Sequence, residues 1–167
     1  MGLRNYLIEG GSGAGKTTVA TELERRGYHV LHGDRVLAYQ GDPDTGARVI
    51  PPPGDLNFIN DHRIWDVEQV EAVVADKSAD QTFFCGGSRN WHKFIHLMDA
   101  VFLLEVDRAT LERRIDTRVD EWGSEPAERA MIMELHESRK NLPIGGIHID
   151  ATKPLSEVVD FILARCR

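Results

Sequence analysis

Apolar residues fall into short runs that alternate with stretches of helical periodicity. Tyr6-Leu7-Ile8 reads as a strand, and Val19, Ala20 and Leu23 recur after it at helical spacing. Tyr28 to His32 alternates as a second strand. Thr82-Phe83-Phe84-Cys85 and the run Ala100 to Val106 are continuous apolar segments that predict buried strands, and Ile147-His148-Ile149 predicts a short last one. Between them the spacing predicts helices over residues 16 to 26, closed by Gly27, and around Val67, Val70 and Val74, with Asp61 as the expected cap. Further helices are predicted from Asp107 through Arg118, from Pro126 with Met131, Leu135 and Ser138 in register, and through Leu155, Val158, Val159, Ile162 and Leu163. Strand and helix alternating in this order predict an α/β fold, a doubly wound five-stranded parallel sheet with helices on both faces.

Two excursions interrupt the alternation. Residues 36 to 80 include an irregular stretch, 39 to 61, with Gly41, Pro43, Gly46 and Pro51-Pro52-Pro53-Gly54, too long to be an ordinary connection and better suited to a substrate flap. Residues 119 to 146 run from a polar, turn-like segment through the Pro126 helix to Gly145-Gly146. His92 and His96 stand four apart on an expected helix, a zinc-ligand spacing, but no third ligand accompanies them.

The candidate chemistry starts at Gly10-Gly11-Ser12-Gly13-Ala14-Gly15-Lys16-Thr17, which fits G-x-x-x-x-G-K-[ST] between a predicted strand and a predicted helix. A triphosphate needs several donors converging on one point. Successive backbone N–H groups of such a loop supply them, together with the positive end of the following helix dipole. Gly11, Gly13, Ala14, Gly15, Lys16, Thr17 and Thr18 are therefore the expected nucleotide-binding residues, with Lys16 reaching the β- and γ-phosphates and the Thr17 hydroxyl on Mg²⁺. Ligands in open α/β sheets lie beside the carboxyl ends of strands, which directs Asp34 and Arg35 toward the phosphates. Gly86 and Gly87 permit close backbone approach after the third strand, and the planar fork of Arg89 suits a phosphate or carboxylate. Arg114 and Arg118, one turn apart, are placed to face a nucleotide.

Together these motifs resemble the small P-loop kinases: nucleoside and nucleoside-monophosphate kinases, shikimate kinase and chloramphenicol phosphotransferase. The run Phe83 to Asn90 is similar to bacterial proteins labelled as nucleoside kinases. The resemblance implies that Asp34 contacts the acceptor hydroxyl and lies near the metal, that Arg114 stacks on adenine, and that Arg118 reaches the transferring phosphoryl group from a lid. It implies that Arg139 projects from the helix returning from that lid, and that the loop with Thr152 and Pro154 borders the adenine. Cys85-Gly86-Gly87 stands where adenylate-kinase-like members carry Asp-Gly, a departure toward the shikimate-kinase-like arrangement.

The expectation is an ATP- and Mg²⁺-dependent phosphotransferase acting on a hydroxyl of a small molecule, foremost a nucleoside. Lys16, Asp34 and Arg118 are the catalytic residues, Thr17 and Asp34 the metal ligands. Asp34, Arg35, Trp65, Gly86, Gly87, Arg89 and Arg139 are the acceptor contacts, although Trp65 fits a core position equally well. A nucleoside-monophosphate kinase, a kinase of another small molecule, and a nucleotide-dependent regulatory protein remain as alternatives. The chain of 167 residues suits one domain. Its net charge of −7 argues against nucleic acid or anionic membrane as partners. Its 41% hydrophobic and 28% charged residues are ordinary for a soluble protein, and its two cysteines fit a reduced cytoplasm. Met1-Gly2 lacks the Ser or Thr at residue 6 that myristoylation requires. A monomer or a homodimer is expected.

Overall fold

The chain runs β1 (Arg4–Gly10), α1 (Lys16–Arg25), β2 (His29–His32), α2 (Gly33–Val36), β3 (Ala38–Gln40), α3 (Leu56–Asp61), β4 (Arg63–Trp65), α4 (Val67–Ala75), β5 (Gln81–Cys85), β6 (Ala100–Glu105), α5 (Arg108–Asp116), α6 (Pro126–Ser138), β7 (Ile147–Asp150) and α7 (Leu155–Ala164). This computed structural model describes residues 3–166; Met1 and Gly2, where the lipidation reading falls, and Arg167 lie outside the described residues. Five strands form a parallel sheet in the order β2-β5-β1-β6-β7, as the alternation of apolar runs predicts.

Side chains leave successive strand positions on opposite faces. Tyr6, Ile8, Phe83, Phe102 and Leu104 pack against Val19 and Leu23 of α1 and against Val158, Val159 and Ile162 of α7. On the other face Leu7 and Phe84 pack with Val70 of α4, with Trp65 and with Phe94. This second layer carries the first excursion, which is more regular than its sequence suggests. It contains an antiparallel hairpin, β3 with β4, and the short helix α3.

The pattern of caps differs from expectation at one point. Asp61 does not cap a following helix; it is the last residue of α3, whose cap is Asp55, accepting from Phe58 N–H at 3.0 Å. Asp66 caps α4 through Gln69 N–H at 3.2 Å, because the β4 strand intervenes between the two helices. Asp107 and Pro126 start α5 and α6 as expected, but α5 ends at Asp116. His92 and His96 lie on two separate 3₁₀ turns rather than one helix, and no group of metal-ligating side chains occurs among the described residues.

The segment after β5 fastens the excursion to the sheet. Asn90 Oδ1 accepts from Trp65 N–H at 3.0 Å and Asn90 Nδ2 donates to the Trp65 carbonyl at 3.0 Å, while Arg89 N–H donates to the Arg63 carbonyl at 2.9 Å. Asn90 thus completes β4 as a backbone partner would, in a fully buried setting where an unmet polar group is costly. Asn90→Ala is expected to lower unfolding free energy by about 3 kcal/mol, measured by urea denaturation.

Candidate active site

The loop between β1 and α1 has the geometry of an anion cradle. Gly13 and Gly15 have φ of 83° and 104°, which side chains rarely adopt, and α1 begins with no side-chain cap and no acidic residue in its first turn. Its first N–H groups are therefore free for an anion, and the loop fits a nucleotide phosphate. Lys16 lies back on the loop, donating to the Gly10 carbonyl and, at 3.3 Å, to that of Gly11. Ala14 is buried beneath the loop, whereas Gly11, Thr17 and Thr18 are exposed.

Arg114 ties this loop to the far edge of the sheet. It donates to the Gly13 carbonyl at 2.8 Å and to the Ala151 carbonyl at 2.9 Å, drawing the β7–α7 loop, with exposed Thr152 and Pro154, beside the cradle. Arg118 donates to Ser12 Oγ at 3.2 Å and to the Trp122 carbonyl at 2.6 Å, so the segment after α5 is held at the mouth of the loop.

The carboxyl end of β2 meets the other side of the loop. Asp34 shares a small pocket with Lys16, Thr17, His32, Arg35 and Gly86. Its Oδ1 accepts from Gly87 N–H at 3.2 Å, and its side chain keeps 38% of its surface exposed. Gly86 is required here: its φ is 142°, and a Cβ would stand 2.7 Å from Asp34 Oδ1.

A second carboxylate, absent from the residues expected on sequence grounds, lies on the opposite side of the same turn. Glu9, the penultimate residue of β1, is 2% exposed; its Oε1 accepts from Gly10 N–H at 2.9 Å and lies 2.7 Å from where a Gly87 Cβ would be. Burial pushes its carboxyl up to about 7, against the opposing pull of Lys16, the Gly10 amide and Arg89. The available signal was an acidic residue following the apolar run Tyr6-Leu7-Ile8, directly before the glycine loop. Arg63 is a second unexpected member of the site. It donates to the Asp34 carbonyl at 3.3 Å and approaches Asp34 Oδ1 at 3.8 Å, and only the short Arg63-Ile64-Trp65 strand could have announced it.

Three expected acceptor contacts do not line the pocket around Asp34. Trp65 is fully buried and stacks on Phe94 with ring centroids 5.5 Å apart, so it supports the floor beneath Gly33 and Gly86 and offers no face to a ligand. Arg89 spends Nε and Nη2 on the carbonyl and side chain of Asn60, at 2.9 and 3.0 Å, and so braces α3 against the β5 turn. Arg139 pairs with Glu105 at 2.6 Å beside a separate cavity of about 290 Å³ walled by Leu103, Leu142, Pro143, Ile144 and His148. Burial raises the Glu105 carboxyl, and the bonds from His148 and Arg139 outweigh that and hold it below its ordinary value. Lys140, next in sequence, reaches Asp61 of α3 at 3.5 Å.

With this geometry the likeness to solved structures is intelligible. A shikimate kinase from Bacteroides thetaiotaomicron has a TM-score of 0.61 with 14% identity, covering 96% of this chain and 97% of that one. A sugar kinase from Janibacter sp. HTCC2649, in unliganded form, gives 0.60 with 16% identity over 97% and 93%. At these identities the likeness is one of fold. A deoxyadenosine kinase from M. mycoides with bound dATP gives 0.51 with 15% identity over 96% and 98%. No family model matches the chain. In sequence, HPr kinase/phosphorylase of Lacticaseibacillus casei strain BL23 is 46% identical over 46 residues, which are 28% of this chain and only 14% of that protein's length.

The raised Glu9 carboxyl sets a pH dependence. A carboxyl that ionises at about 7 when folded, against 4.5 unfolded, contributes its stability fully below pH 4.5 and loses it as pH rises through about 7. Thermal melts of the nucleotide-free protein are expected to fall relative to Glu9→Gln across that interval and to run parallel outside it.

Proposed function

We propose that the protein transfers the γ-phosphoryl group of ATP to a hydroxyl of a small molecule. The observation that carries this reading is Asp34, a half-exposed carboxylate at a strand end, in one pocket with the loop lysine and Thr17 and oriented by Gly87 N–H. Such a carboxylate is placed to orient an incoming hydroxyl and accept its proton as the new P–O bond forms and the bond to the departing ADP oxygen breaks. Lys16, released from the Gly10 and Gly11 carbonyls, neutralises charge on the phosphoryl oxygens, and Arg118 adds a second cation from the other side. Mg²⁺ would be held by the Thr17 hydroxyl, Asp34 and phosphate oxygens, where it supplies further charge neutralisation. Arg114 fits the adenine side of the donor, with Thr152 and Pro154 at its border. Residues 119 to 146 act as a lid that excludes water, and residues 36 to 80 form the acceptor-binding excursion, the two meeting at Lys140 and Asp61.

A nucleoside acceptor is supported by the cavity beside Leu103, Leu142 and Pro143, whose apolar walls suit a planar base, with Arg139 at its edge. A second reading rests on Arg35 and Arg63 beside Asp34, a surplus of cations that favours a hydroxyl acceptor bearing a carboxylate or phosphate. Both cysteines are free and buried, in keeping with a reducing compartment such as the cytoplasm. No helix of the described residues is long and apolar enough to cross a membrane.

Lys16→Ala is expected to abolish transfer. Asp34→Asn should keep ATP affinity while lowering turnover by about 100-fold. Coupled ADP-release assays across nucleosides, nucleoside monophosphates and sugar acids check both and identify the acceptor class; full turnover by Asp34→Asn would remove Asp34 from the proton-accepting role.

A further inference from the structure

Glu9 is a carboxylate that the phosphoryl-transfer step does not use. In register with Leu103 of β6, it leaves the sheet on the face of Leu7, Phe84 and Trp65, which carries the acceptor-binding excursion. Leu103 is the floor of the 290 Å³ cavity that Arg139 borders, so Glu9 stands between that cavity and Asp34. Its carboxylate fills the space a side chain at residue 87 would take, 2.7 Å to Oε1 and 3.3 Å to Oε2 from the position of a Cβ, and residue 87 is itself only partly buried. Oε1 has its partner in Gly10 N–H, whereas Oε2, which is not among the buried unpartnered polar atoms of the described residues, is open to a group entering the cleft.

Burying an acidic side chain at the inner end of an apolar strand costs stability, and one backbone N–H recovers only part of it. A neutral amide would also accept from Gly10 N–H, without the cost of burying a charge. The cost has an account if the remaining oxygen is completed by a ligand. Its chemistry is then restricted: an ionised carboxylate oxygen only accepts, so the ligand must present an O–H or N–H, and a molecule phosphorylated on oxygen brings hydroxyls with it.

We propose that Glu9 binds the acceptor directly, its Oε2 accepting from a hydroxyl other than the one phosphorylated, so that the site selects polyhydroxy acceptors. Asp34 and Glu9 then grip two hydroxyls from the two sides of the Gly86-Gly87 turn. This rests on the small-molecule kinase reading and adds to it a residue that discriminates between acceptors.

Adenosine, uridine and D-gluconate, each beside analogues lacking one hydroxyl (2′-deoxy- and 3′-deoxyadenosine, 2′-deoxyuridine, 2-deoxy-D-gluconate), test it with wild type and Glu9→Gln. For the compound phosphorylated, Glu9→Gln is expected to raise the acceptor KM about tenfold or more, the loss of one hydrogen bond to a charged group, with KM for ATP unchanged. One deoxy analogue should show the same loss with wild type and no further loss with the variant. An unchanged acceptor KM in Glu9→Gln overturns the proposal, and so does wild type using every deoxy analogue as well as its parent, a result independent of how the variant folds. In both cases the kinase reading stands. Failure of all these compounds while ATP binds would count against the kinase reading itself, and this assignment would fall with it.

Discussion

Strand β1 is hydrogen bonded on both sides, to β5 and to β6, and the site depends on that arrangement. The glycine loop leaves the centre of the sheet, so every group that serves it arrives from a neighbouring strand end at a fixed spacing. Pairing with β5 brings Gly86 and Gly87 alongside the loop, and β2 beyond it brings Asp34. Pairing with β6 brings α5, from which Arg114 and Arg118 reach back to Gly13 and Ser12. A slip of one residue in any of these registers would turn the acidic groups to the wrong face of the sheet.

Within that frame the charges are arranged as opposites around a glycine turn. Asp34 and Glu9 approach it from its two sides, and Lys16, Arg63 and Arg89 stand within electrostatic reach of one or the other. The two acids are not equivalent. Asp34 is well exposed and tied by one backbone N–H, so its carboxylate is open to a group entering the pocket. Glu9 is almost fully buried, and burial raises its carboxyl to the point where it exchanges a proton near neutrality. Arg89 links this pair to α3 through Asn60, and Asn90 fastens β4, so the first excursion is braced against the sheet.

Much of the fold was legible because the central parallel strands carry apolar runs and turn or capping residues punctuate the chain: Asp107 and Pro126 mark helices α5 and α6 as they suggest. The phosphate loop was legible because its chemistry is local, compressed into one turn and the start of one helix. What escaped was built from contacts distant in sequence. The β3–β4 hairpin has strands of three residues each, too short to show a period, and Asn90 completes it from the other side of β5. Without that hairpin Asp61 looked like a helix cap, Trp65 like a ligand contact and Arg89 like a free cation. Glu9 escaped for a different reason: an acid inside an apolar strand reads as an exception until the packing around Gly87 gives it a place.

We propose that this loop and Asp34 serve phosphoryl transfer to a carbon-bound hydroxyl and not hydrolysis. Phosphorus-31 NMR of the protein with MgATP and a mixture of nucleosides and sugar acids tests it most directly. A new phosphomonoester resonance growing in step with ADP is expected. ADP accompanied only by inorganic phosphate, at a rate indifferent to the mixture, would contradict it.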